Sequence, residues 1–258
     1  MGKVYLVGAG PGAPDLITLR ALRVLEQADI VFFDALVHPD TVACARRARK
    51  VAVGKRCGEP STDQRFINRN LVEAAGRYGN VVRLKGGDPM LFGRAQEEID
   101  ALTEAGIEFE VVPGITAALA ASAELRVSLT QRGVARSVVF ATPRTGKGQS
   151  ASDWAHDVCA ADTAVLYMAA READSIARAL HAAGMRLDHP VAVVENASLP
   201  NARKHVTTLA GLMDPDAGEF LHGPALLCFG EVYRNLPGAD ALPTSVVAQA
   251  ARPLRREA

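Results

Sequence analysis

No net charge recruits a partner to this chain: 29 Lys and Arg residues balance 29 Asp and Glu. A phosphate-tracking or lipid-binding surface needs a basic excess, so neither nucleic acid nor an acidic membrane is an expected partner. Any anionic substrate must be met by a local cluster of arginines. Cysteine is scarce, and Cys44, Cys57, Cys159 and Cys228 are far apart, with no Cys-x-x-Cys pair and no histidine pair beside them. That argues against a disulfide framework or a metal site and for free thiols in a reducing compartment. No apolar run approaches the roughly 20 residues of a membrane span. Met1-Gly2-Lys3-Val4-Tyr5 enters a strand pattern at once and leaves no room for a signal peptide. No internal repeat is visible. The expectation is a soluble, cytoplasmic protein.

What is there is apolar material and glycine. Of 258 residues 48% are hydrophobic, enough for a sizeable core in one large domain or two small ones. The most informative stretch is Val81 to Gly93. Val81, Val82 and Leu84 mark a short buried strand with interleaved charge, stopped by Gly86-Gly87. Asp88-Pro89 follows, and Gly93-Arg94 opens an acidic helical stretch with Glu97 and Glu98. A parallel strand ending in a Gly-Gly-Asp turn offers N–H groups and a carboxylate at the edge where open α/β sheets bind ligands. The same residues also suit a plain connection, with Asp88 as helix N-cap and Pro89 at the first helical position.

Around this stretch, strands at Lys3–Val7, Ile30–Phe33, Val51–Val53, Val81–Leu84 and Phe109–Val112 alternate with helical patterns. The helices run from near Leu16, from Thr62 to Ala75, and from Gly93 to Ala105. Such alternation predicts a parallel sheet. The first loop, Gly8 to Asp15, matches Gly-x-Gly-x-x-Ala, and Asp34 stands near the spacing of a ribose-binding acid. Pro11 and Pro14 oppose the dinucleotide reading, because they lack N–H groups and separate the loop from its helix. Asp34, at a strand's carboxyl end, and Lys55, in the matching place after the third strand, are candidate reactive groups; a turn residue and a solvated charge are the plainer readings. A linker over Val127–Arg136 leads to a second lobe with strands Ser137–Ala141, Ala164–Met168, Val191–Glu195, His205–Thr208 and Ala225–Phe229. One clear helix, Ala173–Ala183, makes that lobe a mixed-sheet domain. Residues 1–127 and 128–236 form the two α/β domains. Pro143–Ser152 reads as a mobile loop and 237–258 as a disordered tail.

Val7-Gly8-Ala9-Gly10-Pro11-Gly12, Arg83-Leu84-Lys85-Gly86-Gly87-Asp88-Pro89 and Val112-Pro113-Gly114-Ile115-Thr116-Ala117, in that order and spacing, resemble the tetrapyrrole methylases. Phe33 to Val37, Gly54-Lys55-Arg56, Ser128 to Arg132, Tyr167-Met168 and Val193 to Ala197 extend the resemblance over roughly Lys3 to Val232. It implies a two-lobed tetrapyrrole methylase fold, a homodimer, and S-adenosylmethionine bound between the lobes and released as S-adenosylhomocysteine. It also implies methylation of two ring carbons of uroporphyrinogen III to give precorrin-2, the precursor of sirohaem and cobalamin. The cofactor contacts it implies are Pro11, Gly86, Gly87, Asp88, Leu91, Thr116, Ala117, Met168 and Ala197. Proton transfer falls to Asp34 and Lys55, and further substrate or catalytic roles fall to Arg94, Glu97, Arg132 and Met168. By themselves, Arg94 and Glu97 also read as an exposed i,i+3 pair and Met168 as a gap-filling core residue.

Departures from the family pattern concentrate on the side expected to meet substrate. Ala35 stands for an arginine, Gln131 for a histidine, Pro143-Arg144 for Gly-His and Ala95-Gln96 for a pair of small residues, and the loop from Cys57 lacks its usual histidine and proline. The cofactor motifs are kept. The alternatives are a methylase of another tetrapyrrole and a binding paralogue that has lost turnover. A ribosomal-RNA methylase on the same fold does not suit the balanced charge.

Overall fold

The computed structural model describes residues 1–54, 64–144, 153–214 and 221–236. The chain divides into two compact units, Met1–Ala120 and Ala121–Ala258.

In the first unit the apolar runs become β1 (Lys3–Gly8), β2 (Ile30–Phe33), β3 (Arg49–Ala52), β4 (Asn80–Lys85) and β5 (Phe109–Val112), in the order β3-β2-β4-β1-β5. Every neighbouring pair is parallel. Helices α1 (Leu19–Glu26), α2 (Pro39–Ala43), α3 (Gln64–Ala75) and α4 (Ala95–Glu104) lie between them, and α5 (Ala117–Leu125) starts in this unit and ends in the next. Side chains alternate across a strand, so the sheet feeds two cores. Val4, Leu6, Ile30, Phe32 and Val81 pack with α3 and α4, and Val7, Val31, Val82 and Leu84 pack with α1 and α2. Cover on both faces is why β1 and β2 read as apolar runs rather than alternating ones, whereas the edge strand β3 is largely exposed.

Two helix starts and one expected cap differ from expectation. The first helix begins at Leu19, because Pro14–Leu16 form a separate 3-10 turn and Thr18 caps α1, its hydroxyl accepting from the Ala21 N–H at 3.2 Å. Helix α4 begins at Ala95 rather than Gly93, because Phe92 and Arg94 take left-handed φ values of 52° and 55°. Asp88 caps no helix; its carboxylate has other partners, described below. Thr62 and Lys55 lie outside the described residues, as do most of the 143–152 loop and the 237–258 tail.

The second unit holds β6 (Val138–Ala141), β7 (Thr163–Leu166), β8 (Pro190–Glu195), β9 (Arg203–Thr208) and β10 (Ala225–Gly230) in the order β6-β7-β10-β8-β9. β6 and β7 are parallel and the other pairs antiparallel, the expected mixed sheet. Helix α7 (Ala173–Ala182) buries Ile176 and Leu180 on Leu166, Val193, Leu227 and Phe229. Two helices were not foreseen: α6 (Trp154–Ala160), with only Val158 fully buried, and the single turn α8 (Leu209–Leu212). The supposed linker is partly structured, since Gln131 and Ala135 bridge around Gly133 with Ala135 buried. Asp162 then ties the entry of β6, accepting from the N–H groups of Arg136 and Ser137 at 2.8 and 3.0 Å.

Among the described residues no helix is long and apolar enough to cross a membrane, and no cluster of three His, Cys, Asp or Glu side chains is placed to hold a metal.

Candidate functional site

The carboxyl ends of β1, β4 and β5 meet with almost no side chain between them. Gly10 and Gly87 bridge, the Gly87 N–H donating to the Gly10 carbonyl at 2.7 Å and the Gly10 N–H to the Gly87 carbonyl at 3.2 Å. Gly87 does so at φ +67°, which glycine adopts without steric cost. A Cβ on Gly114 would overlap the Gly87 carbonyl and lie 2.8 Å from the Gly8 Cα; one on Gly8 would lie 2.6 Å from the Gly114 Cα. Backbone packed this closely admits no larger residue at either position.

Asp88 locks the arrangement. One carboxylate oxygen accepts from the Met90 N–H at 2.8 Å and the other from the Gly114 N–H at 2.9 Å, joining loops 26 positions apart. Expected as a cofactor contact, Asp88 here staples the β4 and β5 loops. Thr116 and Ala117 follow at the start of α5, with the Thr116 Cα 3.9 Å from where a Gly87 Cβ would stand. Gly86 faces Leu36, which is largely exposed.

Beside this cradle lies a group of charges buried under the sheet. Arg83 and Lys85, alternate residues of β4, are 2% and 3% exposed, and Glu98 of α4 is fully buried. The Arg83 Nε donates to Glu98 Oε1 at 3.0 Å, and its other arm reaches Asp34 Oδ1 at 2.6 Å. The Lys85 Nζ donates to both Glu98 oxygens, at 3.0 and 2.9 Å, and the Gln64 amide donates to Glu98 at 3.1 Å. Two cations thus face two anions, and only Asp34, 29% exposed in its side chain, reaches solvent. Burial, with the Arg83 guanidinium alongside, holds the Lys85 ammonium below its ordinary value despite Glu98. Burial opposes the Arg83 charge as well, but Asp34 and Glu98 together outweigh it and raise its value.

Arg94 and Glu97 lie at the exposed rim of that network, the Glu97 carbonyl accepting from the Asn68 amide at 2.9 Å. They form an exposed two-armed pair at 2.7 and 2.8 Å, and the Arg94 contact holds the Glu97 carboxyl below its ordinary value. Arg94→Ala should change the unfolding free energy by about 0.5 kcal/mol or less, the scale of surface helix pairs. Denaturant titration checks this, and a loss of turnover in so mild a variant assigns the guanidinium to substrate. Arg132 is exposed in the Gln131–Ala135 turn.

The remaining expected residues belong to the second unit. Met168, just past β7, is 47% exposed at φ 57°, so it is not core filling. Ala197 follows β8 between Asn196 and Ser198, at φ 52° and 73°. Non-glycine residues in this region are uncommon and gather where a site holds them. Glu195 anchors the segment. Its buried carboxylate accepts from the His222 N–H at 2.7 Å, from the Gly223 N–H and from the Arg203 Nε at 2.6 Å. Burial alone would raise the Glu195 value; the Gly223 N–H and Arg203 outweigh it and lower it below the ordinary 4.5. A carboxyl lowered in the folded state stabilises fully above its unfolded value and loses that contribution as pH falls through the folded one. Unfolding free energy should therefore fall below about pH 4.5. Glu195→Gln should lower it by about 2 kcal/mol at neutral pH and flatten that acid slope. Equilibrium unfolding across pH measures both.

A five-stranded parallel sheet followed by a five-stranded mixed sheet is the architecture to set beside known proteins. Residues 3–213 match the model of the tetrapyrrole (corrin/porphyrin) methylases. The chain belongs to the tetrapyrrole methylases. Its relatives include a uroporphyrinogen-III C-methyltransferase of Pseudomonas aeruginosa, 45% identical over 91% of this chain and 96% of that protein. A siroheme synthase of Pseudomonas putida is 46% identical over 90% of this chain and 50% of its own length. The chain spans about half the length of the siroheme synthases it matches. Among solved structures, uroporphyrin-III C-methyl transferase from Thermus thermophilus complexed with S-adenosyl homocysteine has a TM-score of 0.78 at 38% identity. That match covers 90% of this chain and 99% of the other. A cobalt precorrin-4 methyltransferase matches at a TM-score of 0.75 and 28% identity, over 90% of this chain and 95% of the other.

Sequence reasoning named Asp34, Gly86, Gly87 and Asp88, which this tetrapyrrole methylase brings to one sheet edge. It passed over Arg83, Lys85 and Glu98. The available signal was two cations on one face of a strand covered on both sides, a place where an unpaired charge is not tolerated.

Proposed function

We propose that this chain is an S-adenosylmethionine-dependent C-methyltransferase of uroporphyrinogen III, methylating two ring carbons to give precorrin-2 for sirohaem and cobalamin synthesis. The observation that carries the reading is the near full-length match to the Pseudomonas aeruginosa enzyme, 45% identical over 96% of that protein.

The residues fit the cofactor. Gly86 and Gly87 leave the carboxyl end of β4 without side chains, with only the Leu36 Cβ at 3.4 Å and the Thr116 Cα at 3.9 Å near where their own Cβ atoms would stand, so a ligand can approach this backbone closely. Pro11, Gly86, Gly87, Asp88, Leu91, Thr116 and Ala117 are the proposed contacts of the first unit, and Met168 and Ala197 those of the second. S-adenosylmethionine, when bound, supplies a methyl group on a sulfonium sulfur. The chain supplies orientation, which in well-aligned reactions is worth about 7–11 kcal/mol. Asp34 offers a carboxylate, fixed by Arg83, that can offset cationic charge on a pyrrole ring or take its proton. Lys55 is the proposed proton donor, and Glu97 a second carboxylate. Arg94 and Arg132 present guanidinium groups to substrate carboxylates, a geometry suited to two-armed contacts.

A homodimer in the cytoplasm completes the proposal, supported by the family resemblance and by the dispersed thiols. The substitutions at Ala35, Gln131 and Arg144 favour one second reading, a methylase of a later corrin precursor. Calorimetric titration should give binding of S-adenosylhomocysteine and none of NAD. Anaerobic incubation with methyl-labelled cofactor should then label uroporphyrinogen III; label on a later corrin precursor alone would select the second reading.

A further inference from the structure

The charges under the sheet are placed as a support for one solvent-facing group. Asp34 leaves β2 with its N–H on the Leu84 carbonyl at 3.3 Å, and its carboxylate receives one arm of Arg83 at 2.6 Å. The same guanidinium is held from behind by Glu98 at 3.0 Å, and its remaining nitrogen donates to the Leu84 carbonyl at 3.2 Å. Glu98 is itself fixed from two further sides, by Lys85 of β4 and by Gln64 of α3. Gln64 also donates to Asn68, whose amide returns to the Glu97 carbonyl. Each arm of Arg83 thus has one partner and one direction.

Stability does not account for this arrangement. Buried ion pairs lose solvation that their mutual attraction barely restores, and apolar residues of similar size serve a core as well or better. What such a network does supply is a locked rotamer at its one outlet, the second layer of support that holds a reactive group in productive geometry. We propose that Arg83 and Glu98 are positioning residues for Asp34, Glu98 acting only through the guanidinium, with Lys85 and Gln64 fixing Glu98. This rests on the role given to Asp34 in the methyl transfer above.

The test is a double-mutant cycle. Glu98→Gln and Arg83→Lys are each made with Asp34 intact and with Asp34→Asn, and kcat, KM and the Kd for S-adenosylhomocysteine are measured. Lysine keeps the charge of Arg83 but cannot hold two carboxylates in a fixed fork. With Asp34 intact, each variant should lose about ten- to a hundredfold in kcat, the cost of a misplaced group, with KM and Kd nearly unchanged. Against Asp34→Asn the same changes should add almost nothing. Glu98→Asp should recover part of the loss. Equal losses in both backgrounds, or a loss confined to KM or Kd, would overturn the proposal. Should Glu98→Gln fail to fold, Arg83→Lys carries the cycle alone. A crystal structure of Arg83→Lys needs no substrate and separates this inference from the proposed reaction. The Asp34 carboxylate should move by more than about 0.5 Å, the tolerance of a working site. An unmoved Asp34 overturns the positioning role even in an active enzyme, whereas a wild-type protein inert toward uroporphyrinogen III refutes the reaction and leaves the displacement to be read.

Discussion

Gly114→Ala should cost about 3 kcal/mol of unfolding free energy, the upper end of what overpacking does, and should abolish S-adenosylhomocysteine binding. The added carbon would meet the Gly87 carbonyl and, at 2.8 Å, the Gly8 Cα. Both neighbours are backbone of strand-end loops, so no rotamer change relieves the overlap. Relief comes only by parting the loops, and the Gly114 N–H then leaves Asp88. Gly106→Ala is the control: it has a positive φ of 64° but nothing within 4 Å of its Cβ. That variant should show a modest backbone penalty, near 1 kcal/mol, and unchanged binding. Denaturant unfolding and calorimetry on the pair separate overlap at the site from loss of glycine as such.

Glu98→Leu is the second large effect, an expected loss of about 3–5 kcal/mol, because it strands Arg83 and Lys85 as buried cations with Asp34 alone to face them. Replacing the whole set, as in Arg83→Met with Lys85→Met and Glu98→Leu, should be far milder. Exchange of a complete buried ionic group for apolar residues is often neutral or stabilising by about 1–4 kcal/mol. A triple variant that is stable and inactive, beside a single variant that is unstable, would assign the charges to the work of the site. A triple variant as unstable as Glu98→Leu would make them structural. Chemical denaturation of both proteins decides it.

Strands β1 and β2 were legible because cover on both faces leaves little but apolar residues in them. The partners of the charges were not. Arg83 and Lys85 are visible in the strand pattern, but Glu98 stands 15 and 13 positions on, and only the packing of α4 on the sheet joins them. The same distance hid the task of Asp88, whose partner is 26 positions away; a local reading offered the N-cap instead. Left-handed exits at Phe92, Arg94, Met168 and Asn196 carry no glycine to announce them. They moved the start of α4 and placed Met168 beyond its strand. Helix α6 was missed because seven residues with one fully buried side chain give too little period to detect.

The most direct test of the account is the number of labelled methyl groups found on the product when wild-type protein and Asp34→Asn are incubated anaerobically with uroporphyrinogen III and methyl-labelled S-adenosylmethionine. The account predicts two per tetrapyrrole with the wild type and a strong reduction with the variant. Tight cofactor binding with no label on the tetrapyrrole would contradict it.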